Sequence, residues 1–140
     1  MADPHHLSRF VAAQADVWPA PLDELRRGRK HSHWMWFVFP QVAGLGMSAM
    51  SKHYAIRSRE EATAYLAHDL LGARLAETTD AVLGHSGRLS AEEIFGGIDS
   101  VKFRSSMTLF DAVAADDRYR RALDAFHGGE PDPATLRLLA

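Results

Sequence analysis

The stretch "SHWMWFVFP", Ser32–Pro40, decides the fold class. A short unbroken apolar run fits a buried strand or a buried helix, and period alone does not separate the two. Ser32 suits a helix N-cap and Pro40 a helix stop, so the run reads as a short helix, with a strand as the competing reading. The flanks speak for helices. Upstream, Asp3 followed by Pro4 is an N-cap with proline at the first helical position, and Leu7, Phe10, Val11 and Gln14 then share one side. A second short helix runs from Pro21 to Gly28, with Arg26 and Arg27 in its last turn, where cations suit the helix dipole.

Downstream the helical pattern strengthens. Ser48 can cap a turn through Tyr54, and Ser58 with Glu61 has the capping-box spacing for a helix to about His68. Asp69 can cap the next helix, which ends near Gly84, and Ser90 with Glu93 repeats the box before Gly96-Gly97. Asp99 or Ser100 caps a helix to about Ala114, another runs from Asp116 to Gly128-Gly129, and Asp132-Pro133 opens a last one. The expectation is an all-α fold, one domain over residues 1–140, built as a compact orthogonal bundle of six or more short helices.

Composition excludes several classes. With 46% hydrophobic residues in 140, the chain can build a core without a staple or a structural metal. A net charge of −2 argues against a generic duplex-DNA binder, so any anion site must be local. No cysteine is present, which removes disulfides and thiolate chemistry. No apolar run approaches the roughly 20 residues that span a bilayer, and the N-terminus lacks a signal-peptide core, so the expectation is a cytoplasmic protein with no membrane partner.

The chemistry concentrates where the basic run Arg29, Lys30, His31 and His33 meets the aromatic one. Adjacent cations repel unless an anion balances them, and indole faces stack on flat groups. Arg29, Lys30, His31, Trp34 and Trp36 therefore suit an anionic, flat ligand; the alternative is a solvated turn beside core aromatics. His33 suits an acid–base role, because imidazole changes charge near neutral pH. A metal site lacks a third ligand, and no cofactor is implied. "GLGMS" adds Gly44, Gly46 and Ser48 ahead of a helix start, where free N–H groups bind anions; the alternative is an ordinary turn.

The helix "DSVKFRSSMTLFDAVA" carries Phe103, Met107, Phe110, Val113 and Ala114 on one face, with Ser106 within it and Lys102 at its border. A lysine so placed snorkels, finds an anion or serves chemistry. Lys102 is thus a candidate catalytic residue beside His33, and Ser106 a candidate ligand contact.

Three segments, "GRKHSHWMWFVFPQ", "YAIRSREEATAYLAHDLLGARL" and "VKFRSSMTLFDAV", resemble an uncharacterised bacterial family of about this length, a domain of unknown function whose members are often mislabelled as calpastatin. That resemblance covers nearly the whole chain and implies a mainly helical fold and no established activity. The layout is more distantly similar to the NADAR proteins, a helical superfamily linked to NAD and ADP-ribose chemistry. That similarity implies hydrolysis of an ADP-ribose or other N-glycosidic bond. Two readings of different class follow. In one the protein binds, and processes, a small anionic nucleotide-like or ADP-ribose-like ligand in a cleft made by residues 28–34, "GLGMS" and Lys102. In the other it is a non-enzymatic module that docks on a protein partner.

Overall fold

The computed structural model describes residues 2–140. Among them lie ten helices: α1 (Ser8–Ala15), α2 (Ala20–Arg26), α3 (Met35–Val38), α4 (Ala49–His53), α5 (Arg59–Ala67), α6 (Asp69–Leu83), α7 (Ala91–Phe95), α8 (Gly97–Asp111), α9 (Arg118–His127) and α10 (Pro133–Leu139). No strand forms among the described residues, and one parallel bridge, Val42 to Ile56, is the nearest approach to a sheet. The all-α expectation therefore holds. The aromatic run that decided it is helical for a single turn.

That turn starts later than its cap signal. Trp34, not Ser32, occupies the N-cap of α3, because the Ser32 hydroxyl and N–H are both drawn to Glu24. Two other starts shift by one to three residues. His68 caps α6 through Nδ1, ahead of Asp69. Gly96 (φ +85°) takes the N-cap of α8, which frees Asp99 for an ion pair. Asp3 does act at the N-terminus of the first helix, accepting the N–H groups of Leu7 (2.8 Å) and Ser8 (3.0 Å), although α1 itself begins at Ser8.

α8 is the central element and packs on α5, α7, α9 and α10. Phe103, Met107 and Phe110 present its apolar face to the core and are fully buried, as their helical spacing predicts. Phe103 stacks on Phe95 at 4.7 Å and meets the edge of Phe39 at 5.1 Å, which ties α8, α7 and the end of α3 together. A second aromatic group, Phe10, Tyr65 and Phe110, joins α1 and α5 to the same helix. A buried ion pair, Arg9 to Glu61 at 2.7 Å, locks α1 to α5. Gly28 ends α2 with φ +83°, and a Cβ there would lie 2.7 Å from Leu89 Cδ1, so only glycine lets the basic segment leave the helix at that point.

Candidate functional site

The basic segment is organised from within. Glu24 on α2 is buried, and its carboxylate accepts the N–H groups of His31 (2.7 Å) and Ser32 (3.0 Å), the Ser32 hydroxyl and the Trp34 indole N–H (3.0 Å). Burial pushes this carboxyl up, but the Ser32 hydroxyl, the two backbone N–H groups and the indole outweigh it and hold the group at about 2. The segment is further pinned by the Lys30 N–H, which donates to Ile94 O on α7 at 2.7 Å.

Lys30 then turns inward. Its Nζ lies 2.9 Å from Asp99 Oδ2, donates to Ser32 O at 2.6 Å and sits 5.0 Å above the Trp34 ring. Lys102, three residues along α8, reaches the other oxygen of Asp99 at 3.7 Å and lies 4.9 Å above Trp36. Two lysines thus share one aspartate, leaving one positive charge in excess. Within the run Arg29 to His33, only Lys30 has an ion-pair partner among the described residues. Asp99 matches Lys30, and Glu24 gathers the local N–H dipoles.

A cleft of about 370 Å³ opens against this arrangement, lined by Lys30, His33, Met35, Trp36, Phe95 and the start of α8 from Gly96 to Asp99. The N–H groups of Gly97, Ile98 and Asp99 make no hydrogen bond to backbone among the described residues, so the N-terminus of this long helix faces the cleft with donors to spare. Ile98 is 77% exposed at the rim.

The candidate residues separate into groups. Lys30, His33 and Trp36 line the cleft; Lys102 is not in the lining, contrary to expectation, and its Nζ lies 4.9 Å from the Trp36 ring. Trp34 does not offer a stacking face, because it is fully buried and its indole N–H is spent on Glu24. Arg29 and His31 are exposed and lie outside the lining. Ser106 is fully buried in α8 with an unpartnered hydroxyl and reaches neither this cleft nor its neighbours. Gly44 and Gly46 belong to a separate cleft, and Ser48 is exposed and caps α4 by accepting the Ser51 N–H at 3.1 Å. The sequence grouping of "GLGMS" with the basic segment is therefore two places in the structure.

Glu24 and Asp99 are the residues that sequence reasoning missed. Asp99 was legible in principle, since Asp at i and Lys at i+3 are helix neighbours. Glu24 was not, because its partners lie seven to ten residues away across a turn. No three His, Asp or Glu side chains gather to hold a metal ion among the described residues, and none of the helices is long and apolar enough to cross a membrane.

Fold and cleft together define a small all-α protein with a charged, aromatic-walled cleft at the N-terminus of its central helix. The chain belongs to the family described as "Protein of unknown function (DUF1810)", which matches residues 4–139. It is similar to the conserved hypothetical protein Rv1873 from Mycobacterium tuberculosis, known from a crystal structure, at 51% identity over 98% of each chain with a TM-score of 0.95. No curated protein matches it. Neither description mentions calpastatin or NAD chemistry.

Proposed function

We propose that the cleft at the start of α8 binds a small anionic, nucleotide-like ligand. The observation that carries this reading is that Lys30 and the unpaired N–H groups of α8 line a space walled by Trp36, with Lys102 behind it on Asp99 and Trp36. An anionic group at that helix end would meet the excess lysine charge and the helix dipole together. A base or other flat group would stack on the accessible part of Trp36, a contact worth about 1–3 kcal/mol. In this reading His33, exposed at the rim, exchanges protons with the bound ligand, and Lys102 acts from beside Trp36. The narrower ADP-ribose-like ligand, and hydrolysis of its N-glycosidic bond, rest only on the resemblance to the NADAR proteins suggested by the sequence, which neither the family match nor the solved structure supports.

Thermal unfolding in the presence of ADP-ribose, NAD and ADP tests the reading. A ligand at a hundredfold excess over its Kd raises stability by about 2.7 kcal/mol. Lys102→Ala and Trp36→Ala should each weaken binding about tenfold at fixed salt while leaving the fold intact. Equal binding by these variants, or no shift with any of the ligands, removes the proposal. A second reading, docking of a protein partner, is favoured by Ile98 (77% exposed) and Val101 (61% exposed), which stand one turn apart on α8 beside the cleft.

A further inference from the structure

A second cleft, of about 250 Å³, lies between the loop 41–46, α4 and the segment 55–57, and its lining shares no residue with the first. Its frame is fixed by backbone hydrogen bonds: Ala43 N–H donates to Ile56 O at 2.8 Å and Ile56 N–H to Gln41 O at 2.9 Å. Two glycines shape the wall. Gly44 has φ +103°, and a Cβ on Gly46 would collide with the Ser51 side chain. The Gly44 and Gly46 N–H groups donate to no backbone carbonyl among the described residues.

The charge pattern differs from that of the first cleft. Lys52 and Arg57 line this one, and no Asp or Glu does. Neither cation forms an ion pair among the described residues. The carboxylate close to Arg57 in the chain, Glu61, accepts the Arg57 N–H at 3.2 Å, but its other oxygen is held by Arg9 at 2.7 Å. Glu60 lies in the adjoining hollow, which Arg57 also borders together with Arg59. Arg57 and Lys52 thus face a common space with no acid lining it. Like charges in one cavity repel, and a dianion offsets them best.

We propose that this second cleft binds a phosphate monoester. Arg57 supplies a planar fork of donors that matches phosphate, Lys52 a second charge, and the Gly44 and Gly46 N–H groups neutral donors. Gln41 and Ser51 also line the cleft and add polar side chains beside the esterified part. The space exceeds by far the ~30 Å³ share of a single water, so it has room for a phosphate with a small substituent. The site is independent of the cleft at α8.

The test follows the amide resonances of the full chain during titration with inorganic phosphate and with glycerol 3-phosphate, at constant ionic strength with chloride as the reference. Saturable shifts at Gly44 and Gly46 are expected. Arg57→Gln should weaken binding by about tenfold or more and Lys52→Gln by less, with the rest of the spectrum confirming that both variants fold. Shifts that do not saturate, that chloride reproduces, or that persist unchanged in both variants overturn the proposal. Shifts confined to Gly97–Asp99 overturn it as well and assign the anion to the first cleft. Vesicles of phosphatidic acid and phosphatidylcholine provide the last arm: binding to these without binding of the soluble esters rejects a small-molecule ligand.

Discussion

Glu24 and Glu61 are both carboxylates buried on short helices, the first accepting four hydrogen bonds and the second two, yet they are balanced in opposite ways. Glu61 is paired with a guanidinium, and Arg9 in turn donates to the carbonyls of His5, His6, His53 and Ala55. Glu24 has no cation within ion-pair distance and is held by neutral donors alone. The first arrangement ties α1 to α5 and to the loop before it. The second shapes a single turn of backbone, the one that carries Lys30 and His33 to the cleft. One carboxylate maintains the fold, while the other presents a site.

Breaking the Arg9–Glu61 pair should have the largest effect. Both side chains are 4% exposed, so Arg9→Met leaves a buried, unpaired carboxylate and orphans several carbonyls. A loss of about 3–5 kcal/mol in urea unfolding is expected. The double variant Arg9→Met with Glu61→Leu should recover part of it, since removing both charges is less costly than stranding one. Equal destabilisation by single and double variants would contradict the ion-pair account.

Glu24→Gln comes next, and its signature is in pH. The native carboxyl sits at about 2 against an ordinary value of 4.5, so the unfolded chain takes up a proton first as pH falls. The contribution of Glu24 is therefore fully present above pH 4.5 and drains away between about 4.5 and 2. At neutral pH it amounts to on the order of 3 kcal/mol, the order set by that shift. Glu24→Gln should flatten the acid limb of stability in that window while costing less than Arg9→Met at pH 7. Some slope should remain, because the Ser8 and Leu7 N–H groups also hold Asp3 low. An unchanged acid limb in Glu24→Gln would show that the turn does not depend on the charge.

The contrast explains which parts were legible in the sequence. The helices were, since Ser48, Ser58, Ser90 and Asp132 each accept the N–H three residues on, a strictly local interaction. The buried face of α8 was legible for the same reason, as helical spacing alone assembles Phe103, Met107 and Phe110. The site was legible only in its cations. Which anions answer Lys30 and the Trp34 indole depends on how α2 and α8 pack around the segment between them, and neither Glu24 nor Asp99 announces that role locally. Trp34 shows the consequence. Beside the basic run it reads as a stacking face, whereas packing on Phe39 and Glu24 makes it core.

The smallest effect sharpens the comparison most, because it sets two identical spellings against each other. Ser58-x-x-Glu61 and Ser90-x-x-Glu93 are the same capping motif in sequence. At α7 the box is complete: Glu93 N–H donates to Ser90 Oγ at 3.1 Å and Ser90 N–H to Glu93 Oε1 at 2.9 Å. At α5 only the serine half forms, Glu61 N–H to Ser58 Oγ at 3.0 Å, because the Glu61 carboxylate has been taken by Arg9 and the Arg57 N–H. Ser58→Ala and Ser90→Ala should thus cost alike, about 1 kcal/mol each. The glutamates should part company. Glu93 is exposed and serves only its cap, so Glu93→Ala should cost about 0.5–1 kcal/mol. Glu61→Ala, which strands the Arg9 guanidinium, should cost several times more, at about 3–5 kcal/mol. Chemical unfolding of the four variants decides the matter: comparable losses for the two glutamates would mean that Glu61, too, is no more than a helix cap.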